Sequence, residues 1–128
     1  EYALYLYEKM HHYFRFGSRA NVYWNMALEN EGLSTWGWRQ NSLISVKDGE
    51  YVFNPEFYMY KHFSHFVKRG AVMLKTTGSF SSNATVFENP DSSRVAVIVN
   101  PFFNEKLLTV NQKNYILKPR SFNTIVLD

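Results

Sequence analysis

Tyr23-Trp24-Asn25-Met26-Ala27-Leu28-Glu29-Asn30-Glu31-Gly32 passes from aromatic and apolar residues into acids and amides and closes on a glycine. Its apolar part, Val22 to Leu28, is short and bounded by Gly17-Ser18 and Gly32, the pattern of a buried strand that delivers polar groups at its exit. In an α/β barrel, that exit is where chemistry gathers.

The flanking segments fit an α/β step. Ala3, Leu6, Met10 and Tyr13 with Phe14 recur at helical spacing over residues 1–16, and Gly17 stands where a helix C-cap belongs. After the strand, residues 32–42 crowd Trp36, Trp38, Arg39, Gln40 and Asn41 between small residues, odd content for a mere connection. Residues 43–47 and 50–53 flank Asp48-Gly49, a favoured two-residue turn, and predict a β-ribbon. Asn54, Pro55 and Glu56 mark a helix start, Met59, Phe63, Phe66 and Val67 supply its buried stripe, and Lys68-Arg69-Gly70 closes it. From residue 71 the period becomes strand-like, with strands expected near 71–76, 83–87, 94–99, 106–110, 115–118 and 123–127. Val95 to Val99 is apolar throughout and reads as a central strand covered on both faces. The turn spacing predicts an antiparallel sandwich. The expected fold class is α+β: a terminal barrel helix-strand-helix over residues 1–70, then an antiparallel β-sandwich over residues 71–128.

A complete eight-stranded barrel needs about 250 residues, so a chain of 128 is not a whole one. Aromatic residues make up 18% of it, suiting either a bulky core or a sugar-stacking surface. The net charge of +3 comes from scattered Lys and Arg, which argues against a nucleic-acid partner. Without cysteine there are no disulfides, thiol nucleophiles or zinc ribbons. No apolar run approaches the ~18 residues of a membrane span. Glu1-Tyr2-Ala3 does not open like a signal peptide, and the chain reads as beginning in mid-element.

Several spaced motifs carry a family resemblance across nearly the whole chain. Trp24-Asn25-Met26-Ala27-Leu28 with Glu31-Gly32, then Trp36 and Asn41, resembles the last barrel strand and following loop of glycoside hydrolase family 30, the glucosylceramidase-like enzymes. Asn54-Pro55-Glu56-Phe57-Tyr58, Lys61-His62-Phe63-Ser64, Phe66-Val67-Lys68-Arg69-Gly70-Ala71, and Asn89-Pro90-Asp91 before Val95 to Asn100, follow in that family's order. The resemblance implies the C-terminal portion of a retaining β-glycosidase that uses no cofactor or metal. Such an enzyme holds two carboxyl groups about 5 Å apart, one acid and base, the other nucleophile. The family carries both as glutamates on earlier barrel strands, so neither is expected here and the chain alone is expected to be inactive. The resemblance also favours a secreted or periplasmic setting.

Trp24 offers a flat apolar face on which the C–H face of a pyranose can stack, and the family uses the matching Trp to wall the scissile-sugar subsite. On sequence grounds alone a core Trp inside an apolar strand is the favoured reading, since buried aromatics are common, and the resemblance reverses it. Asn41 carries over by the same resemblance. Trp36, Trp38 and Gln40 add stacking faces and an amide to one sugar cleft, although the Gly37-Trp38-Arg39-Gln40 stretch differs in length among family members. Glu29 and Glu31 read as solvated loop acids rather than a catalytic pair, since alternate residues of one loop rarely aim at a common point. His11 and His12 point in different directions, and His62 with His65 lacks a third ligand, so no metal site is expected. Asn83-Ala84-Thr85 is a glycosylation sequon. Tyr2, Tyr5 and Tyr7, with Phe57, Tyr58 and Tyr60, read as packing residues facing a barrel. Exposed without it, such helix faces favour self-association. A competing reading is a non-catalytic carbohydrate-binding or structural sandwich module, but the helix-strand-loop-helix order of the first 70 residues has no place in one.

Overall fold

The computed structural model describes residues 1–29 and 32–127. Helix α1, Tyr2–Arg15, ends in the geometry its glycine implies. Gly17 has φ 91°, and the Gly17 and Ser18 N–H groups donate to the carbonyls of Phe14 and Tyr13 at 3.1 and 3.0 Å. These are the paired bonds of a Schellman cap. Strand β1, Ala27–Glu29, runs parallel to β2, Ile44–Lys47, which returns antiparallel as β3, Glu50–Phe53. Asp48 and Gly49 both have positive φ, as the two-residue turn requires. Helix α2, Pro55–Phe66, follows. Asn54 stands at its N-cap position, but its side chain serves the ribbon instead, donating to Ser42 O at 2.8 Å and Ser45 Oγ at 2.9 Å.

The remaining strands are β4 (Val72–Leu74), β5 (Ala84–Glu88), β6 (Arg94–Asn100), β7 (Lys106–Val110), β8 (Lys113–Leu117) and β9 (Ser121–Leu127). A four-stranded antiparallel sheet has the order β4-β5-β6-β9, and β7 pairs with β8 as a separate hairpin. Residues 95–100 of β6 are all buried, because the sheet is covered on both sides. Ala96, Ile98 and Ile125 pack with Leu117, Leu108 and Tyr115 of the hairpin, while Val97, Val99 and Phe87 pack with Tyr7, Met10, Met59 and Phe63 of the helices. The fold is α+β, a sandwich whose outer sheet face is roofed by both helices.

Three expectations need correction. Val22 to Leu28 is not a buried strand: only residues 27–29 pair, and Val22, Trp24 and Met26 are exposed. Among the described residues β1 has one neighbour, β2, and an apolar run is buried only where sheet neighbours and facing helices cover it. The buried face of α1 carries Tyr7 and His11, with Tyr13 exposed, because α1 packs on the sandwich sheet. Helix α2 ends at Phe66, four residues before Gly70, with Phe66 and Val67 only partly buried. What stops it is Asn89, which accepts from Lys68 N–H at 2.9 Å and donates to Phe66 O at 3.1 Å.

Tyr7 joins helix to sheet. Its hydroxyl lies 2.8 Å from Val97 O, 2.9 Å from Asn83 O and 3.2 Å from Thr85 Oγ1. His11 Nδ1 lies 2.9 Å from the same Thr85 oxygen. A proton on Nδ1 completes a chain in which His11 donates to Thr85, Thr85 to Tyr7 and Tyr7 to a carbonyl, leaving His11 Nε2 as an unused acceptor rather than an unused donor. Burial pushes the Tyr7 phenol far above its ordinary range and the His11 imidazole below its own. Asn83 and Thr85 of the sequon are thereby enlisted in this junction.

Candidate functional site

The segment from Gly32 to Gln40 folds as a miniature hairpin. Gln40 N–H donates to Gly32 O at 2.9 Å, Ser34 N–H to Trp38 O at 2.8 Å and Gly37 N–H to Ser34 O at 2.9 Å. Leu33 and Arg39 form a bridge between them. The loop is Thr35-Trp36-Gly37, and Gly37 takes the left-handed position with φ 79°. At the base, Gly32 has φ 74° and a Cβ there would lie 2.2 Å from Gln40 O, so only glycine lets the two arms close.

Asn25 fastens this hairpin to the segment that enters β1. Its Nδ2 donates to Gln40 Oε1 at 3.1 Å and Asn41 O at 3.2 Å, and its carbonyl accepts from Leu43 N–H at 3.1 Å. The sequence reading passed over Asn25. The available signal was an amide directly after Trp24, placed to reach whatever follows the strand.

Trp24, Gln40 and Asn41 come together in one cleft of about 510 Å³, walled also by Tyr2, Tyr5 and Tyr13 of α1 and Tyr60 of α2. Trp24 is 91% exposed, which removes the core-Trp alternative for this chain. Tyr60 donates to Asn21, and its ring meets Tyr23 edge-on at 5.4 Å. Burial, with Tyr2, Glu56 and Tyr60 nearby, holds the Tyr23 phenol above its ordinary value, so it stays protonated at neutral pH. Gln40 and Asn41 also border a second cleft of about 800 Å³ beside Ser42, Ser45, Asn54 and the buried Glu56.

Trp36 and Trp38 do not line the Trp24 cleft. They stand at the tip of the small hairpin, 75% and 68% exposed, with centroids 6.0 Å apart and planes at 37°. The single cluster expected from sequence is therefore two places joined by the Asn25–Gln40 bond. Glu29 is exposed at the end of β1, and Glu31 lies outside the described residues. His62 Nδ1 pairs with Thr124 Oγ1 at 2.7 Å. Among the described residues, no three His, Cys, Asp or Glu side chains gather as metal ligands.

The Trp24 cleft thus offers an exposed indole, phenols, side-chain amides and the cations Lys9 and Arg39, and among the described residues no carboxylate lines it. Such a lining can stack on a sugar ring and hydrogen-bond its hydroxyls.

No family model matches the chain. The endo-1,6-β-D-glucanase neg1 of Aspergillus fumigatus is 33% identical over 95 residues, covering 69% of this chain and 20% of that protein. Among solved structures, the endo-β1,6-glucanase BT3312 superposes with TM-score 0.66 at 26% identity, over 79% of this chain and 25% of its own. SrfJ from Salmonella typhimurium superposes with TM-score 0.81 at 24% identity, over 95% and 29%. The catalytic domain of the family 30 xylanase C from Talaromyces cellulolyticus does so with TM-score 0.61 at 21% identity, over 81% and 29%. The last two likenesses speak for the fold alone. The chain thus spans about a fifth of the curated relative and between 25% and 29% of these structures.

Proposed function

We propose that this chain, which matches the C-terminal portion of family 30 glycoside hydrolases, is the closing segment of a retaining β-glycosidase acting on β-1,6-linked glucan. Residues 1–70 end the catalytic barrel and residues 71–128 form the supporting sandwich. The two catalytic glutamates belong to the upstream barrel, and the chain contributes a wall of the sugar site. The observation that carries this reading is the joining of Trp24, Gln40 and Asn41 in one cleft that no carboxylate lines among the described residues, in a chain 33% identical over 95 residues to an endo-1,6-β-D-glucanase.

In this arrangement the Trp24 indole stacks on the apolar face of the glucose ring at the scissile bond. The Asn41 and Gln40 amides hydrogen-bond its hydroxyls, with Gln40 steadied through its oxygen by Asn25. The edge of β1 that faces away from β2 meets the preceding barrel elements. Stacking that improves as the ring flattens toward the oxocarbenium-like transition state lowers the barrier rather than only binding the ground state. In the enzyme extended through its upstream barrel, Trp24→Ala is expected to lower kcat/KM on β-1,6-glucan by about tenfold or more. Unchanged kcat/KM in that variant would refute the assignment.

A further inference from the structure

The hairpin tip holds two of the three tryptophans of the chain outside the Trp24 cleft, and no contact among the described residues buries them there. Neither indole joins a hydrophobic core. Large apolar rings left in water cost the free energy that burial would have returned, and a paired, presented set marks a binding surface.

We propose that Trp36 and Trp38 form a second sugar contact, separate from the Trp24 cleft, which engages a distant glucose unit of an extended β-1,6-linked chain. This rests on the glucan reading of the Trp24 cleft and extends it from a monosaccharide wall to a polymer track. The ring geometry supports it. At 6.0 Å between centroids and 37° between planes, the indoles are not stacked upon each other, so both keep an outward face for the C–H surface of a pyranose. The hairpin also prepays the ordering of the contact. Three backbone bonds, the Leu33–Arg39 bridge and the bond from Trp38 N–H to Ser34 Oγ at 3.1 Å hold the tip. A contact held before binding loses less entropy when the ligand arrives. The bond from Asn25 to Gln40 sets the tip at a fixed place relative to the first cleft, as one continuous ligand touching both requires.

The test is a calorimetric titration of the chain with gentiobiose and with a β-1,6-linked glucohexaose, a readout that does not depend on the tryptophans being replaced. The native chain is expected to bind the hexaose more tightly than the disaccharide. Trp36→Ala with Trp38→Ala is expected to remove about tenfold of hexaose affinity while leaving the disaccharide unchanged. Trp24→Ala is expected to weaken both ligands. Retained hexaose preference in the double variant, with Trp24→Ala still damaging, overturns the second contact and leaves the glucan reading standing. Equal binding by Trp24→Ala and native chain overturns the reading and the inference built on it. No hexaose binding by the native chain overturns the second contact. Single Trp36→Phe and Trp38→Phe variants, which keep a stacking face, are expected to recover most of the preference, separating lost stacking from a disturbed loop.

Discussion

Replacing Tyr7 by Phe removes one oxygen from a fully buried side chain and leaves Thr85 and the Val97 and Asn83 carbonyls to find other partners. The expected cost is about 1–3 kcal/mol in a denaturant-unfolding measurement, whereas Tyr2→Phe on the exposed side of α1 is expected to change stability by less than about 0.5 kcal/mol. Equal effects would contradict the junction described for Tyr7. The sequence could not separate these tyrosines, since helical spacing shows that residues share a face but not what the face meets.

His11 and His62 each place Nδ1 on a threonine hydroxyl of the sheet, and burial lowers the pKa of both imidazoles below the ordinary 6.5, with Arg15 and His12 adding to the effect at His11. The folded state therefore takes up protons later than the unfolded state as pH falls. Their contribution is complete above pH 6.5 and is lost as pH drops from there through the lowered folded values. The unfolding midpoint is expected to fall with acidification in that window, and His11→Gln with His62→Gln to flatten the slope. An unchanged slope in the double variant would contradict this assignment.

At the scale of elements, what the sequence disclosed were features fixed within a few residues. Asp48-Gly49 and the Gly17 cap act through their own backbone angles, and both stand where they were read. The all-apolar run of β6 was legible for a related reason, since a strand without a polar face must be covered twice. β1 was misjudged because its burial depends on neighbours, and among the described residues only β2 supplies one. The separation of Trp36 and Trp38 from Trp24 was illegible because it arises from a three-residue turn, set by Gly32 and Gly37, that carries the tip away from the cleft. Gly32→Ala is expected to open the hairpin base and diminish hexaose binding without greatly altering the sandwich, read as fluorescence titration beside far-UV circular dichroism. Asn89→Ala is expected to do the reverse. It frees the end of α2 from the β5–β6 turn at a cost of about 1–3 kcal/mol, and it leaves the Trp24 cleft as it was.

For the whole molecule, one sheet serves two layers. The face of the β4-β5-β6-β9 sheet that packs on α1 and α2 holds the roof of helices, and its other face closes the sandwich with β7 and β8. The helices that position Tyr2, Tyr5, Tyr13 and Tyr60 around the Trp24 cleft are thus set by the sandwich, through Tyr7, His11 and His62. In the proposed enzyme the sandwich fixes where the wall of the sugar site stands. The central claim is that this wall binds a β-linked glucan while the cleaving carboxylates lie upstream. The most direct test is to assay release of reducing sugar from β-1,6-glucan by residues 1–128 and by the same protein extended through its preceding barrel strands. Hydrolysis by the extended protein alone is the predicted result; turnover by residues 1–128, abolished by changing Glu29 or Glu31, would contradict the account.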